Sequence, residues 1–136
     1  KGNWSGTGCH MNYSTKQTSE KGGMSVIEEH LKRLEKEHAT SISMYGKDNH
    51  ERLTGFHESS SIDKFSSGVA NRSCSVRIPR TTERDGCGYY EDRRPAADID
   101  PYVVTSSIFS ITCLENFGLK ELKEHYDRYL TTVHKE

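Results

Sequence analysis

Long apolar runs are missing from this 136-residue chain, and with them any stretch of the roughly 20 apolar residues that a membrane-spanning helix needs. Apolar residues are scarce as a whole, at 32% against 29% charged, a polar balance for a domain of this size. An excess of either charge is missing too. The formal net charge is -1, so neither nucleic acid nor an acidic membrane surface is expected as a partner. Cys9, Cys74, Cys87 and Cys113 contain no Cys-x-x-Cys pair. That excludes a zinc ribbon and a compact disulfide framework, and points to free thiols in a reducing, cytoplasmic compartment. No secretory pattern accompanies the Asn-x-Ser triplets at Asn3, Asn12 and Asn71, which therefore carry little weight. The sequence starts at Lys1 without an initiator methionine, and the expectation is a fragment or a processed form.

Aromatic residues are present, seven tyrosines and four phenylalanines, and with the balanced charge they argue for a folded domain rather than disorder. The length suits one domain. Its low apolar fraction fits a core completed against another segment or subunit. Arginine crowds one stretch, at Arg72, Arg77, Arg80, Arg84, Arg93 and Arg94, offset in part by Glu83, Asp85, Glu91 and Asp92. Guanidinium is the better fork for carboxylates and phosphates, although a solvated loop of scattered ion pairs has the same composition.

The expected fold class is α+β: short, mostly antiparallel strands with helices packed on one side. His10 to Ser14 alternates as a strand would. Ser25 and Glu28 form a candidate capping box for a helix running to about His38, with Met24, Ile27, Leu31 and Leu34 on one face. Ile42 to Tyr45 reads as a strand, Arg52 to Ser61 as a loop, Gly68 to Ala70 and Ser73 to Ile78 as strands, and Thr81 to Gly88 as a turn. Asp100 and Pro101 supply an N-cap and an N1 proline for a helix buried through Val104, Ile108, Ile111 and Leu114, with Gly118 as its stop. A last helix, Leu119 to His134, carries Leu119, Leu122, Tyr126 and Tyr129 on one face.

Four segments concentrate chemistry. Gly2 to His10 is a glycine loop whose amides could approach a ligand, though such a loop alone is more often a plain turn. Arg52 to Glu58 ends in a glutamate that could serve as a base or a lid. Asn71 to Arg77 carries two arginines that could neutralise a phosphoryl group and reach a nucleotide. In Gly88 to Pro95 an extended backbone puts Tyr89, Glu91 and Arg93 on one face. That set suits a purine, a divalent cation and a carboxylate, or equally an edge strand with a surface ion-pair ladder.

Taken together and in order, GNWSGTGCH, RLTGFHE, GVANRSCSVRIPR, GYYEDRRP and DPYVVT resemble eukaryotic-type glutamine synthetases, from about Lys1 to Thr112. The resemblance implies the C-terminal part of the catalytic domain over 1–114, followed by a divergent helical tail over 115–136. It implies an ATP-dependent ligase forming glutamine from glutamate and ammonia through a γ-glutamyl phosphate. His10 and Glu91 match ligands of a Mg²⁺ or Mn²⁺ ion, and Asn12, Tyr13, Ser14, Arg72, Arg77 and Tyr89 match contacts to ATP. Asn3, Trp4, Gly6, Gly8, Arg52, Arg72 and Arg93 match the glutamate site, and Glu58 and Arg72 the catalytic pair. The family forms large rings with active sites at subunit interfaces, so a homo-oligomer is implied. Ser5 departs from the family's usual asparagine, and the resemblance fades beyond about Leu114. The family's other metal-binding glutamates and its β-grasp domain belong before Lys1, so the 136-residue chain alone is expected to be inactive. The alternative is a truncated, non-catalytic paralogue that binds nucleotide or assembles with full-length subunits.

Overall fold

The computed structural model describes residues 7–133; the sites expected at Asn3, Trp4 and Gly6, and the departure at Ser5, lie outside that range. Four short strands make one sheet: β1 (Met11–Tyr13), β2 (Ser67–Val69), β3 (Val76–Ile78) and β4 (Tyr90–Asp92), ordered β1-β4-β3-β2. β1 and β3 run antiparallel to β4, whereas β2 lies parallel to β3. The expected α+β class therefore holds, with a mixed sheet whose pairings are mostly antiparallel.

Side chains alternate across a strand, and this alternation sorts the sheet into two faces. Val76, Ile78 and Tyr90 are buried and join Met11 and Tyr13 in the core. Over that face lie α2 (Gly23–Lys36), α5 (Pro101–Cys113) and α6 (Leu119–Val133). They contribute Ile27, Leu31 and Leu34, then Val103, Val104, Ile108 and Ile111, then Leu119 and Tyr126. Each fully buried aliphatic side chain of this kind contributes about 1.5–3 kcal/mol by leaving water. The opposite face bears Asn12, Arg77 and Glu91.

Local structure follows the expected signals in several places. Asp100 caps α5 by accepting from the Tyr102 and Val103 amides, with Pro101 at the first turn. Elsewhere tertiary contacts decide. The Ser25–Glu28 capping box does not form, because α2 starts earlier, from Gly22 at φ 84. The Gly23 amide donates to Glu20 O and the Met24 amide to Gly86 O, so Ser25 falls inside the helix and its hydroxyl donates back to Gly22 O. A helix break at Glu37 leads into α3 (His38–Ile42), and the strand expected over Ile42 to Tyr45 is instead the last residue of α3 and a turn. Met44 and Tyr45 beyond the helix are both fully buried, a pairing of neighbours that one sheet face cannot give. Thr81 to Gly88 is not a plain turn. It holds α4 (Arg80–Asp85), started after extended Pro79 and stopped by left-handed Gly86. α5 ends at Cys113, before Gly118, and its Leu114 is exposed. The remaining short helix, α1 (Lys16–Ser19), opens with a reciprocal Thr15–Thr18 capping box.

Candidate active site

Register places a row of residues across the open face of the sheet. Asn12 pairs with Glu91, Glu91 with Arg77, and Arg77 with Gly68. Glu91 is the hub. Its carboxylate accepts from Arg77 Nε in a short contact, from Arg93 Nη1 at 3.3 and 3.4 Å, and lies 3.1 Å from His10 Nδ1. Burial works to raise its pKa, but the Arg77 hydrogen bond and the charges of Arg77 and Arg93 outweigh that and hold it below the usual carboxylate range. Glu91 is therefore an anion at neutral pH. Burial, followed by the Arg93 charge, lowers His10 below its ordinary 6.5 despite Glu91. Its imidazole is neutral at pH 7, the form that binds metals.

Arg93 also reaches the flap, donating from Nη2 to Glu58 O at 3.3 Å, while its Nε is buried without a hydrogen-bond partner. The flap is the loop between the Thr54–Ser61 bridge. His57 and Glu58 at its tip have φ of 54° and 57°, a left-handed conformation that costs ordinary residues about 1–2 kcal/mol each. The Glu58 carboxylate lies 3.8 Å from Arg72 Nη1, both side chains 66% exposed. The two residues expected as the catalytic pair thus face each other at the rim.

Arg52 sits lower. Its Nε donates to Asn49 Oδ1 at 3.1 Å, and its Nη2 is shared among the carbonyls of Arg93, Arg94 and Pro95. Burial and the neighbouring Arg93 charge both lower its pKa; the carbonyls offset that cost. Gly8 completes the corner, bridging to Ala96. A side-chain carbon there would meet His10 Nε2 at 2.6 Å and Arg52 Nη1 at 3.0 Å, so any larger residue would have to push the His10 ring or the Arg52 guanidinium aside.

Of the sequence-derived residues, His10, Arg52, Arg77, Glu91 and Arg93 converge, with Gly8 and Asn12 beside them and Glu58 and Arg72 at the rim. Tyr89 stands beside Arg77, whose pKa its hydroxyl helps to raise after the larger effect of Glu91, and its carbonyl accepts from Thr82 Oγ1 at 2.8 Å. Tyr13 is not brought in by its side chain. Strand alternation sends it to the helix face, where its hydroxyl meets Thr112 Oγ1 at 2.9 Å and its ring packs on Tyr90. Ser14 follows it, exposed, before α1.

Sequence reasoning passed over Asn49, His38, Asp92 and Arg94. The last two are wholly buried and paired, Arg94 Nη2 to Asp92 Oδ2 at 2.7 Å, with Arg94 also 3.0 Å from His38 Nδ1 and stacked over Tyr45 and Phe65. The alternation that put Glu91 and Arg93 on one face leaves Asp92 and Arg94 to the other, and that was the signal for this buried pair.

A divalent cation fits this site in part. His10 Nδ1 and Glu91 Oε1 are 3.1 Å apart, close to the roughly 3 Å edge of an octahedron with bonds of about 2.1 Å. Among the described residues no group of three or more His, Cys, Asp or Glu could hold a metal. These two are a third of an octahedral ligand set.

No family model matches the chain. Curated relatives do. Glutamine synthetase of Saccharomyces cerevisiae is 54% identical over 113 residues, which is 83% of this chain and 30% of that protein. Glutamine synthetase of Hebeloma cylindrosporum is 57% identical over 114 residues, 84% of this chain and 32% of that one. This chain belongs to the glutamine synthetase family. A chloroplastic glutamine synthetase of Brassica napus, 54% identical over 114 residues, 84% of this chain and 27% of its own length, extends the likeness to plants. The chain spans about 30% of the length of these glutamine synthetases. Among the described residues no helix is long and apolar enough to cross a membrane, and all four cysteines are free.

Proposed function

We propose that this chain carries the C-terminal part of a glutamine synthetase catalytic domain over 1–114, with a divergent helical tail over 115–136. In this reading it supplies part of a cleft for ATP and glutamate, in a cytoplasmic homo-oligomer whose sites are completed across subunit interfaces. The single observation that carries the reading is the convergence of His10, Arg77 and Arg93 on Glu91, with Glu58 closing over Arg93.

The chemistry asks for charge stabilisation and exclusion of water. A glutamate γ-carboxylate oxygen attacks the terminal phosphorus of ATP, the bond to ADP breaks, and an acyl phosphate forms. Ammonia then attacks the acyl carbon, and phosphate leaves with the bonding pair. His10 and Glu91 would hold a Mg²⁺ or Mn²⁺ ion that, when bound, neutralises the ATP phosphates, with further ligands from outside this chain. Arg77 and Tyr89, with Asn12 on the same sheet face, line the nucleotide side. Arg93 and Arg52 face glutamate's carboxylates, near the loop of Asn3, Trp4, Gly6 and Gly8. Arg72 meets the transferring phosphoryl group. Glu58 takes the proton that ammonium must lose, while its loop keeps water from the acyl phosphate.

Expressed alone, the chain should form no glutamine from glutamate, ammonia and ATP. In the full-length subunit, Arg72→Ala should lower synthesis by about a thousandfold, as loss of a phosphoryl-stabilising arginine does, while assembly and unfolding midpoint are unchanged. A near-normal rate would overturn the assignment. The other reading, a non-catalytic paralogue, predicts nucleotide binding with no synthesis even in the assembled protein.

A further inference from the structure

The wall behind the proposed glutamate arginines is built around one buried amide. Asn49 is 2% exposed and follows α3 in a 3₁₀ turn, Asn49–Glu51. Its Nδ2 donates to Tyr45 O at 3.0 Å and to Arg94 O at 2.7 Å, and its Oδ1 accepts from Arg52 Nε at 3.1 Å. Both donor hydrogens and one acceptor site are thereby used. Its backbone carbonyl also accepts from the amides of Arg52 and Leu53. Arg52, fixed at Nε, then spreads Nη2 over the carbonyls of Arg93, Arg94 and Pro95. Arg94 O receives both side chains. Next to it, the Cys9 amide donates to Pro95 O and the Ala96 amide to Tyr45 O, so the chain leaving β4 is tied to the strand carrying His10 and to the loop carrying Asn49.

This wiring has a direction. Asn49 faces neither the open side of the sheet nor Glu91, yet it sets the guanidinium plane of Arg52 and the backbone from which Arg93 projects. We infer that Asn49 is a positioning residue for Arg52 and Arg93, and through them for the carboxylates of a glutamate-like amino-acid substrate. The inference rests on the functional reading above and deepens it. It assigns a residue that touches no reacting atom, and it separates the amino-acid side of the cleft from the nucleotide side. Arg77 and Tyr89 hang from β3 and the start of β4, held by Thr82 and by strand pairing, and not by Asn49.

That separation gives the test. In the full-length subunit, Asn49→Ala should raise the KM for glutamate about tenfold while the KM for ATP stays within about twofold. Asn49→Asp keeps the side-chain volume and the acceptor for Arg52, loses the donors to Tyr45 O and Arg94 O, and should shift the same constant in the same direction; it decides the matter if the alanine variant does not fold. An unchanged glutamate KM would overturn the inference, as would equal rises for both substrates, which mark general loosening. If the wild-type subunit makes no glutamine, it is the functional reading that fails, and a ligand-free measurement on the 136-residue chain still decides the positioning role. NMR exchange of the Arg52 Nε proton, donated to Asn49 Oδ1, should be slow in wild type and at least about tenfold faster in Asn49→Ala, and should stay slow in Asn49→Asp, which keeps the acceptor. An Arg52 signal that does not respond to Asn49→Ala would sink the idea.

Discussion

Two arginine–carboxylate pairs come from four consecutive residues and end in opposite surroundings. Glu91 and Arg93 lie on the open face of the sheet, within reach of His10, Arg77 and the flap. Asp92 and Arg94 lie on the covered side, both at 0% exposure, with Tyr45, Phe65 and His38 around them. Composition cannot tell these pairs apart. What differs is whether each charge finds a full set of partners inside the protein or keeps room for another molecule. Asp92 gives one oxygen to the Arg94 amide and Nε and the other to Nη2 and to Tyr45 Oη. Arg93, by contrast, keeps a buried Nε unpartnered. A closed network stabilises a fold; an open one can be completed by substrate.

The sharpest way to break this contrast is to remove one member of the closed pair. Arg94→Ala strands Asp92 without its counter-charge and should destabilise the chain by about 3–5 kcal/mol, measured as a lower urea midpoint at unchanged slope. If the loss is below about 1 kcal/mol, the buried pair is no more structural than the open one.

Acid sharpens the contrast by a middle-sized effect. Burial lowers the pKa of His30 and His38 on the covered side and of His10 on the open side. In each case the unfolded chain takes up the proton first, near the ordinary value of 6.5. Stability is therefore full above that pH and is lost as pH falls through the lowered folded-state values. The thermal midpoint should drop between about pH 7 and about pH 5.5. Most of the drop should survive His10→Asn, since two of the three histidines are on the covered side.

The smallest effect belongs to a pair with neither burial nor a site. Lys120 and Glu124 meet on α6 with side chains 85% and 55% exposed. Lys120→Ala should change stability by no more than about 0.5 kcal/mol, read from the same urea titration. A larger loss would mean that the tail helix leans on its surface charges.

The sequence made the open face legible because chemistry and spacing agreed there: Glu91 and Arg93 share a face by simple alternation, and His10 and Asn12 do the same one strand away. The cap at Asp100 was legible for a similar reason, since cap and first-turn proline are both local. Where contacts from afar decide, the reading failed. Gly22, Gly23 and Met24 begin α2 against Glu20 and Gly86, which no window around Ser25 contains. Ile42 to Tyr45 alternates on paper, but both Met44 and Tyr45 are drawn into the core from a turn. Asn49 was invisible because its partners, Arg94 O and Tyr45 O, are backbone atoms that carry no sequence signature.

The alternation in β4 sets a limit of a kind that single substitutions do not reveal. Deleting or inserting one residue between Gly88 and Arg94 would turn the ribbon by half a period. Carboxylate and guanidinium meant for substrate would then be pressed under the helices, and the pair that belongs there would be exposed. Across natural sequences this stretch should therefore accept changes of letter far more readily than changes of length.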